Sequence, residues 1–172
     1  MPEVIAVYSP GGEVVGAAPR DEVYARSLWH ASAGVILRSG DGTRVYVHRR
    51  ADTKQVMAGL WDCVAGGVVD PGETPLQTAL RELREELGVS GVELEFLHSL
   101  AWESGPGEGL GGPEGLRCHL FGYQAFWDGE VSHQPSEVAE GRWMSHAELA
   151  ALLPGPFAPD SRILAEHFLT TS

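Results

Sequence analysis

Apolar and polar residues alternate along much of this chain, and a few stretches switch to a helical period. Val4 to Tyr8 and Glu13 to Gly16 flank Pro10-Gly11-Gly12 and read as a short hairpin, followed by one helical turn over Asp21 to Ser27. A second hairpin joins His30–Arg38 to Thr43–Arg49 through Gly40-Asp41-Gly42, and Trp61 to Val69 reads as a further strand. Val92 to Glu103, Leu116 to Trp127 and Val138 to Met144 complete the predicted strands. Between them, Gly105 to Gly115 is too rich in glycine for regular structure and reads as a mobile loop. Ser145 and Glu148 form a capping box for a helix over 146–153. Asp160 or Ser161 caps a last helix that reaches about Leu169.

The best-defined helix lies between two glycines. Pro71-Gly72 marks a turn, Thr74-Pro75 resembles an N-cap with proline at the first helical position, and Gly88 supplies the stop, which predicts a helix over 75–87. At about 100° per residue, Leu76, Ala79, Leu80, Leu83 and Leu87 share one face, with Glu82, Glu85 and Glu86 beside them. Three carboxylates within two turns repel one another, each like pair costing a few tenths of a kcal/mol, roughly, even when exposed. A cation is expected there. Hard oxygen ligands suit Mg²⁺ or Mn²⁺, and Mg²⁺ is commonly shared between carboxylates and substrate phosphates. A solvated acidic face is the plainer alternative.

Gly67, Glu73 and the run Arg81-Glu82-Leu83-Arg84-Glu85-Glu86-Leu87-Gly88-Val89 fill every position of the Nudix box, so the chain resembles the Nudix hydrolases. At residue frequencies of roughly 7% per type, such a match arises by chance about once in a billion windows, which rules out coincidence. The resemblance implies a mixed β-sheet sandwiched between α-helices, whereas pattern alone gives only an α/β or α+β class. It also implies that Glu82, Glu85 and Glu86 are metal ligands together with the backbone carbonyl of Gly67. Arg81 would pair with Glu73 to lock the loop. The expectation is one domain over 1–172, with residues 1–27 as a hairpin extension.

Around the box, GEVVGAAPRDEVY, LWHASAGVIL, HRRADTKQVMAGLWD and AGGVV look like the branch related to isopentenyl-diphosphate isomerase. In those isomerases a catalytic cysteine precedes the box glycine and a metal-binding histidine follows it. Gly66 and Val68 stand there in this chain, so the isomerase chemistry does not carry over. Cys63 lies three residues before Gly66, faces the other way on an alternating strand, and reads as a small buried hydrophobe.

Composition narrows the partners. The 172 residues suit one domain with a full core, and the net charge of −12 argues against DNA, long RNA or an anionic membrane. Two cysteines make no disulfide framework, and the N-terminus lacks the features of a secretory signal, so a cytoplasmic location is expected. Bound divalent ions would still let an acidic protein hold a diphosphate.

The function expected is Mg²⁺-dependent hydrolysis of a phosphoanhydride in a nucleoside di- or triphosphate or a related nucleoside-diphosphate derivative. The alternatives are isomerase-like activity on isopentenyl diphosphate and a nucleotide sensor that does not cleave. Glu85 or Glu86 is the preferred base for the attacking water. Glu137 and Glu140 are alternative bases from another loop, and Glu114 is a further carboxylate near the glycine-rich stretch. At most one of Arg49 and Arg50, which alternation sends to opposite faces, is expected to clamp a phosphate, simple surface pairing being the alternative, with Lys54 as another cation. His30 is a catalytic candidate or a structural hydrogen-bonded residue. Trp102 is the tryptophan placed to stack on a base.

Overall fold

The structure, a computed structural model, describes residues 2–107 and 111–172. Strands β1 (Val4–Tyr8) and β2 (Val14–Pro19) form an antiparallel pair leading into the short helix α1 (Arg20–Ala25). Next come β3 (Trp29–Arg38), β4 (Arg44–Arg50), β5 (Trp61–Asp62), β6 (Val64–Val68) and helix α2 (Pro75–Leu87). Strands β7 (Glu95–Glu103), β8 (Arg117–Phe126) and β9 (Val138–Ser145) precede helices α3 (His146–Leu152) and α4 (Pro159–Thr171).

Strands β3 to β9 share one mixed sheet in which β3 is the hub. It runs parallel to β8 from Trp29↔Arg117 to Arg38↔Phe126, and antiparallel to β6 from Ser32↔Val68 to Ile36↔Val64. The hairpin expected between β3 and β4 is joined only at its turn, through Arg38↔Val45, because β6 takes the rest of that edge. β4 pairs instead with β9 and β5. The strand expected over Trp61 to Val69 is broken at Cys63, where the chain passes from its partner β4 to its partner β3. The strand expected from Val92 starts at Glu95, where pairing with β8 begins.

Alternation along β3 divides the interior. Ala31, Ala33, Val35 and Leu37 pack with Ala79, Leu83 and Leu87 of α2 on one face. On the other face Ile36 meets Phe157, Ala165 and Phe168 of the C-terminal region. The first half of that second face, at His30, Ser32 and Gly34, opens into a cleft. The mixed sheet thus lies between helices, as the resemblance implied.

Local chemistry explains α2. Thr74 Oγ1 accepts from Gln77 N at 3.2 Å while Thr74 N donates to Gln77 Oε1 at 2.9 Å, Pro75 occupies the first turn, and Gly88 ends the helix at φ 68°. The expected leucine stripe is only partly right. Leu76 and Leu80 are exposed, and Thr78 and Glu86 are buried in their place, since the helix presents its Ala79–Leu83–Glu86–Leu87 edge to β3 and β6. The capping box of α3 forms as expected. Neither Asp160 nor Ser161 caps α4; Ala158 is the N-cap and the helix begins at Pro159, ahead of both expected caps.

The N-terminal hairpin packs on this chain's own body. Ile5, Val23 and Tyr24 are buried with Met57, Val68 and Trp102, and Ala6 N donates to Val69 O at 3.1 Å. Within the stretch expected to be a mobile loop, residues 108–110 lie outside the described residues; Gly112 and Gly115 form an isolated bridge.

Candidate active site

The loop after β6 and helix α2 meet through Arg81. Its Nε donates to Glu73 Oε2 and its Nη2 to Glu73 Oε1, both at 2.9 Å, a two-pronged contact that fixes the loop against the helix. Thr78 Oγ1 also donates to Glu73, at 2.9 Å. These bonds hold the Glu73 carboxyl below its usual range, the Arg81 contact contributing most. Arg81 Nη1 further contacts Glu82 at 2.7 Å and Glu85 at 3.4 Å, and Nη2 lies 3.3 Å from Asp70.

The three box glutamates separate by burial. Glu86 is 4% exposed and accepts one bond, from Gly66 N at 3.1 Å. Glu82 is largely buried against Gly67, where an added Cβ would lie 2.5 Å from Glu82 Oε1. Glu85 stays nearly half exposed beside Arg81. Among the described residues no three His, Cys, Asp or Glu side chains converge as a metal set. The three lie at i, i+3 and i+4 on α2, as the period requires, but to different depths: Glu86 is buried, Glu82 largely so, and Glu85 is the exposed member.

Burial, and then the charge of Glu82, pushes the Glu86 carboxyl well above the ordinary range; Lys54 and Arg50 pull in the opposite direction without cancelling it. Burial likewise raises Glu82, partly offset by Arg81. Two buried carboxylates beside a glycine backbone form an all-oxygen donor set with excess negative charge. That set fits a hard divalent cation.

Beside Gly66 and Gly67 opens a cleft bounded by His30, Arg50, Lys54, Trp102 and residues of α1 and α4. Arg50 is anchored by Nε to Met57 O and Nη2 to Val56 O, each at 3.1 Å, and by Nη1 to Asp62 at 3.3 Å. Gly66 floors the cleft in backbone contact with β3; a Cβ there would stand 2.6 Å from Ala33 O and 2.7 Å from Gly34 Cα.

A family model of the NUDIX domain matches residues 28–168. The chain belongs to the Nudix family. It is 53% identical over 174 residues to a Nudix hydrolase of Rhodococcus erythropolis, orf19, covering 96% of this chain and 91% of that protein. The crystal structure of DR0079 from Deinococcus radiodurans superposes with a TM-score of 0.75 at 25% identity, covering 95% of this chain and 98% of that one. The NUDIX domain of Shewanella oneidensis NrtR, solved with ADP ribose, shares the fold at TM-score 0.63 and 23% identity, covering 81% and 86%. Nudix hydrolases cleave pyrophosphate bonds, in general those of nucleoside diphosphate derivatives, and typically use divalent ions such as Mg²⁺.

Against this Nudix frame the remaining candidates fall into two groups. Arg50, Lys54, Trp102 and His30 line the cleft. Trp102 is 9% exposed and packs into the apolar wall, and burial lowers His30 to about 4, so its ring is neutral. Arg49 does not line the cleft; it bridges Asp52 at 3.2 Å and Glu140 at 3.5 Å on the reverse side of β4, as alternation along the strand requires. Glu140 is thereby placed away from the box carboxylates. Glu137 pairs with Lys54 at the cleft mouth. Glu114 pairs with Arg117 at 3.6 Å at the start of β8.

Sequence reading missed Arg20, Tyr24, Asp62, Asp160 and Ser161, all of which line the cleft. Asp62 could have been suspected from its place opposite the Arg49-Arg50 strand end. Burial, followed by the charge of Asp62, pushes the Asp160 carboxyl up to about 6. No among-described helix is long and apolar enough to cross a membrane.

Proposed function

We propose that the chain hydrolyses a phosphoanhydride in a nucleoside di- or triphosphate or a related nucleoside-diphosphate derivative, with Mg²⁺, or Mn²⁺ in its place, and that residues 1–172 act as one domain. The observation that carries this reading is the buried Glu82–Glu86 pair set against Gly66 and Gly67, next to a cleft that also holds Arg50 and Lys54. Glu82, Glu85, Glu86 and the carbonyl of Gly67 are the groups that would hold the ion. When bound, the ion neutralises the phosphates and lowers the pKa of water at neutral pH.

The chain's own residues do the rest. Arg50, fixed by two carbonyls and Asp62, offers a positioned guanidinium to the phosphates, and Lys54 adds a second positive charge. Glu85 or Glu86 accepts the proton of the attacking water; Glu85 is the solvent-facing of the two. Arg81 and Glu73 keep the loop in register with α2 without touching substrate. Glu137, tied to Lys54, remains the alternative base. NrtR's complex with ADP ribose supports a small nucleotide derivative as ligand.

Isomerisation is disfavoured by the two positions flanking Gly67, since Gly66 has no nucleophile and Val68 is buried in the apolar wall. The test is a panel of nucleotides, sugar nucleotides, dinucleotides and isoprenyl diphosphates with Mg²⁺, assayed for released phosphate or pyrophosphate. Turnover of at least one nucleotide is expected, abolished by chelation. A panel in which no diphosphate is cleaved defeats the proposal.

A further inference from the structure

Part of the cleft wall comes from outside the segment that the family model matches, which begins at residue 28. Arg20 and Tyr24 of α1 line the cleft together with Arg50 and Lys54. They are held in place rather than draped there. Val23 and Tyr24 are buried beneath the hairpin, and Gln55 of the β4–β5 connection donates to Asp21 at 2.8 Å.

The three cleft cations differ in what they have left to offer. Arg50 donates from each of its guanidinium nitrogens to a protein oxygen and is held on all of them, with one N–H left on each Nη, and Lys54 gives one of its ammonium N–H groups to Glu137. Arg20 Nε donates to the Tyr24 hydroxyl at 3.0 Å and Nη1 to Glu3 at 2.9 Å, while Nη2 has no acceptor among the described residues. Its side chain is 23% exposed, so it is both reachable and partly dehydrated, and its partner Glu3 is 52% exposed and readily solvated.

Resting on the functional reading above, we infer that Arg20 is a specificity-determining residue that binds the free terminal phosphate of the substrate. A terminal phosphate carries more charge and more unshared oxygens than one capped by a sugar or a second nucleoside. A planar guanidinium with open donors suits that group. The N-terminal extension would thereby favour nucleoside di- and triphosphates over sugar nucleotides and dinucleotides.

Two probes separate these classes without depending on the base: methylenediphosphonate, with both ends free, and its symmetric dimethyl ester, with both ends capped. Binding of each to the whole protein with Mg²⁺ is measured by calorimetry. Arg20→Gln is expected to weaken the free diphosphonate about tenfold and to leave the ester within about twofold of wild type, the loss due to one charge-assisted contact. Arg20→Lys should fall between them. Glu3→Gln, at the exposed end of the contact, should bind the free diphosphonate at least as tightly as wild type, and thermal unfolding confirms that each variant is folded. Unchanged binding in Arg20→Gln and Arg20→Lys, or equal weakening of both probes, overturns this inference alone. Wild-type protein that binds neither probe brings down the functional reading with it.

Discussion

The box glutamates and the cleft beside them match their charges differently. At the β6–α2 side, Glu86 is buried with a single backbone donor and faces the charge of Glu82. At the other, Arg20, Arg50 and Lys54 stand within one enclosure, each held by a carboxylate, and only Arg20 keeps a guanidinium nitrogen, Nη2, with no acceptor among the described residues. The excess negative charge at Glu82 and Glu86 is not relieved by the cleft, because Arg50 and Lys54 act on Glu86 too weakly to restore an ordinary carboxylate. On the function proposed above, the glutamates would take a cation and the cleft cations a phosphate, and a metal-bound diphosphate would supply both.

The sharpest way to break this comparison is at Glu86. Glu86→Gln should lower kcat about a thousandfold, a loss in the range for removing a key electrostatic group. The same change should raise the metal-free unfolding temperature, because the buried charge is gone while the bond from Gly66 N can persist. Activity lost together with stability would mean that Glu86 is a structural residue.

On the basic side, Arg50→Ala leaves Asp62, only 2% exposed, without its cation. A destabilisation of about 3 kcal/mol is expected from denaturant unfolding, since removing one member of a buried pair strands the other. A value near zero would show that the Arg50 anchor is unimportant.

His48 lies two residues from Arg50 on β4 and is buried, its Nδ1 without a partner among the described residues. Burial lowers its pKa from 6.5 to about 4. Between those values the unfolded chain binds the proton more readily, so stability present above pH 6.5 is lost as the pH falls toward 4. Asp160, pushed up to about 6, works in the opposite sense above its ordinary 3.8, so the difference between wild type and His48→Gln isolates the histidine. That variant should reduce the fall in unfolding free energy between pH 7 and 4.5 by about 2 kcal/mol. An unchanged slope would show that His48 is not kept neutral.

The smallest effect belongs to the reverse side of β4. Glu140→Gln disturbs only an exposed pair with Arg49 and should change stability by less than about 0.5 kcal/mol. Its kcat should match wild type; a large drop would revive Glu140 as the base.

How much of this could be read in advance depends on how local its causes are. Helix α2 was legible because Thr74, Pro75 and Gly88 act within one turn of the backbone. Which of its edges turns inward was not, because a period fixes the angular spacing of Glu86 and Leu80 but not which one meets β6. Alternation allowed at most one of Arg49 and Arg50 into the cleft, and the pairing of β4 with β5 selects Arg50. Arg20 had no signature at all, since its place depends on a hairpin that folds back from the start of the chain.

The close approach of β6 to β3 has an evolutionary reading. Because Gly66 rests directly on the Ala33–Gly34 backbone, any side chain there must displace main chain rather than a movable neighbour. A lineage that keeps this packing can place a side chain at that site only by moving β3 and β6 apart, so glycine there is tied to the spacing of two strands rather than to its own position alone.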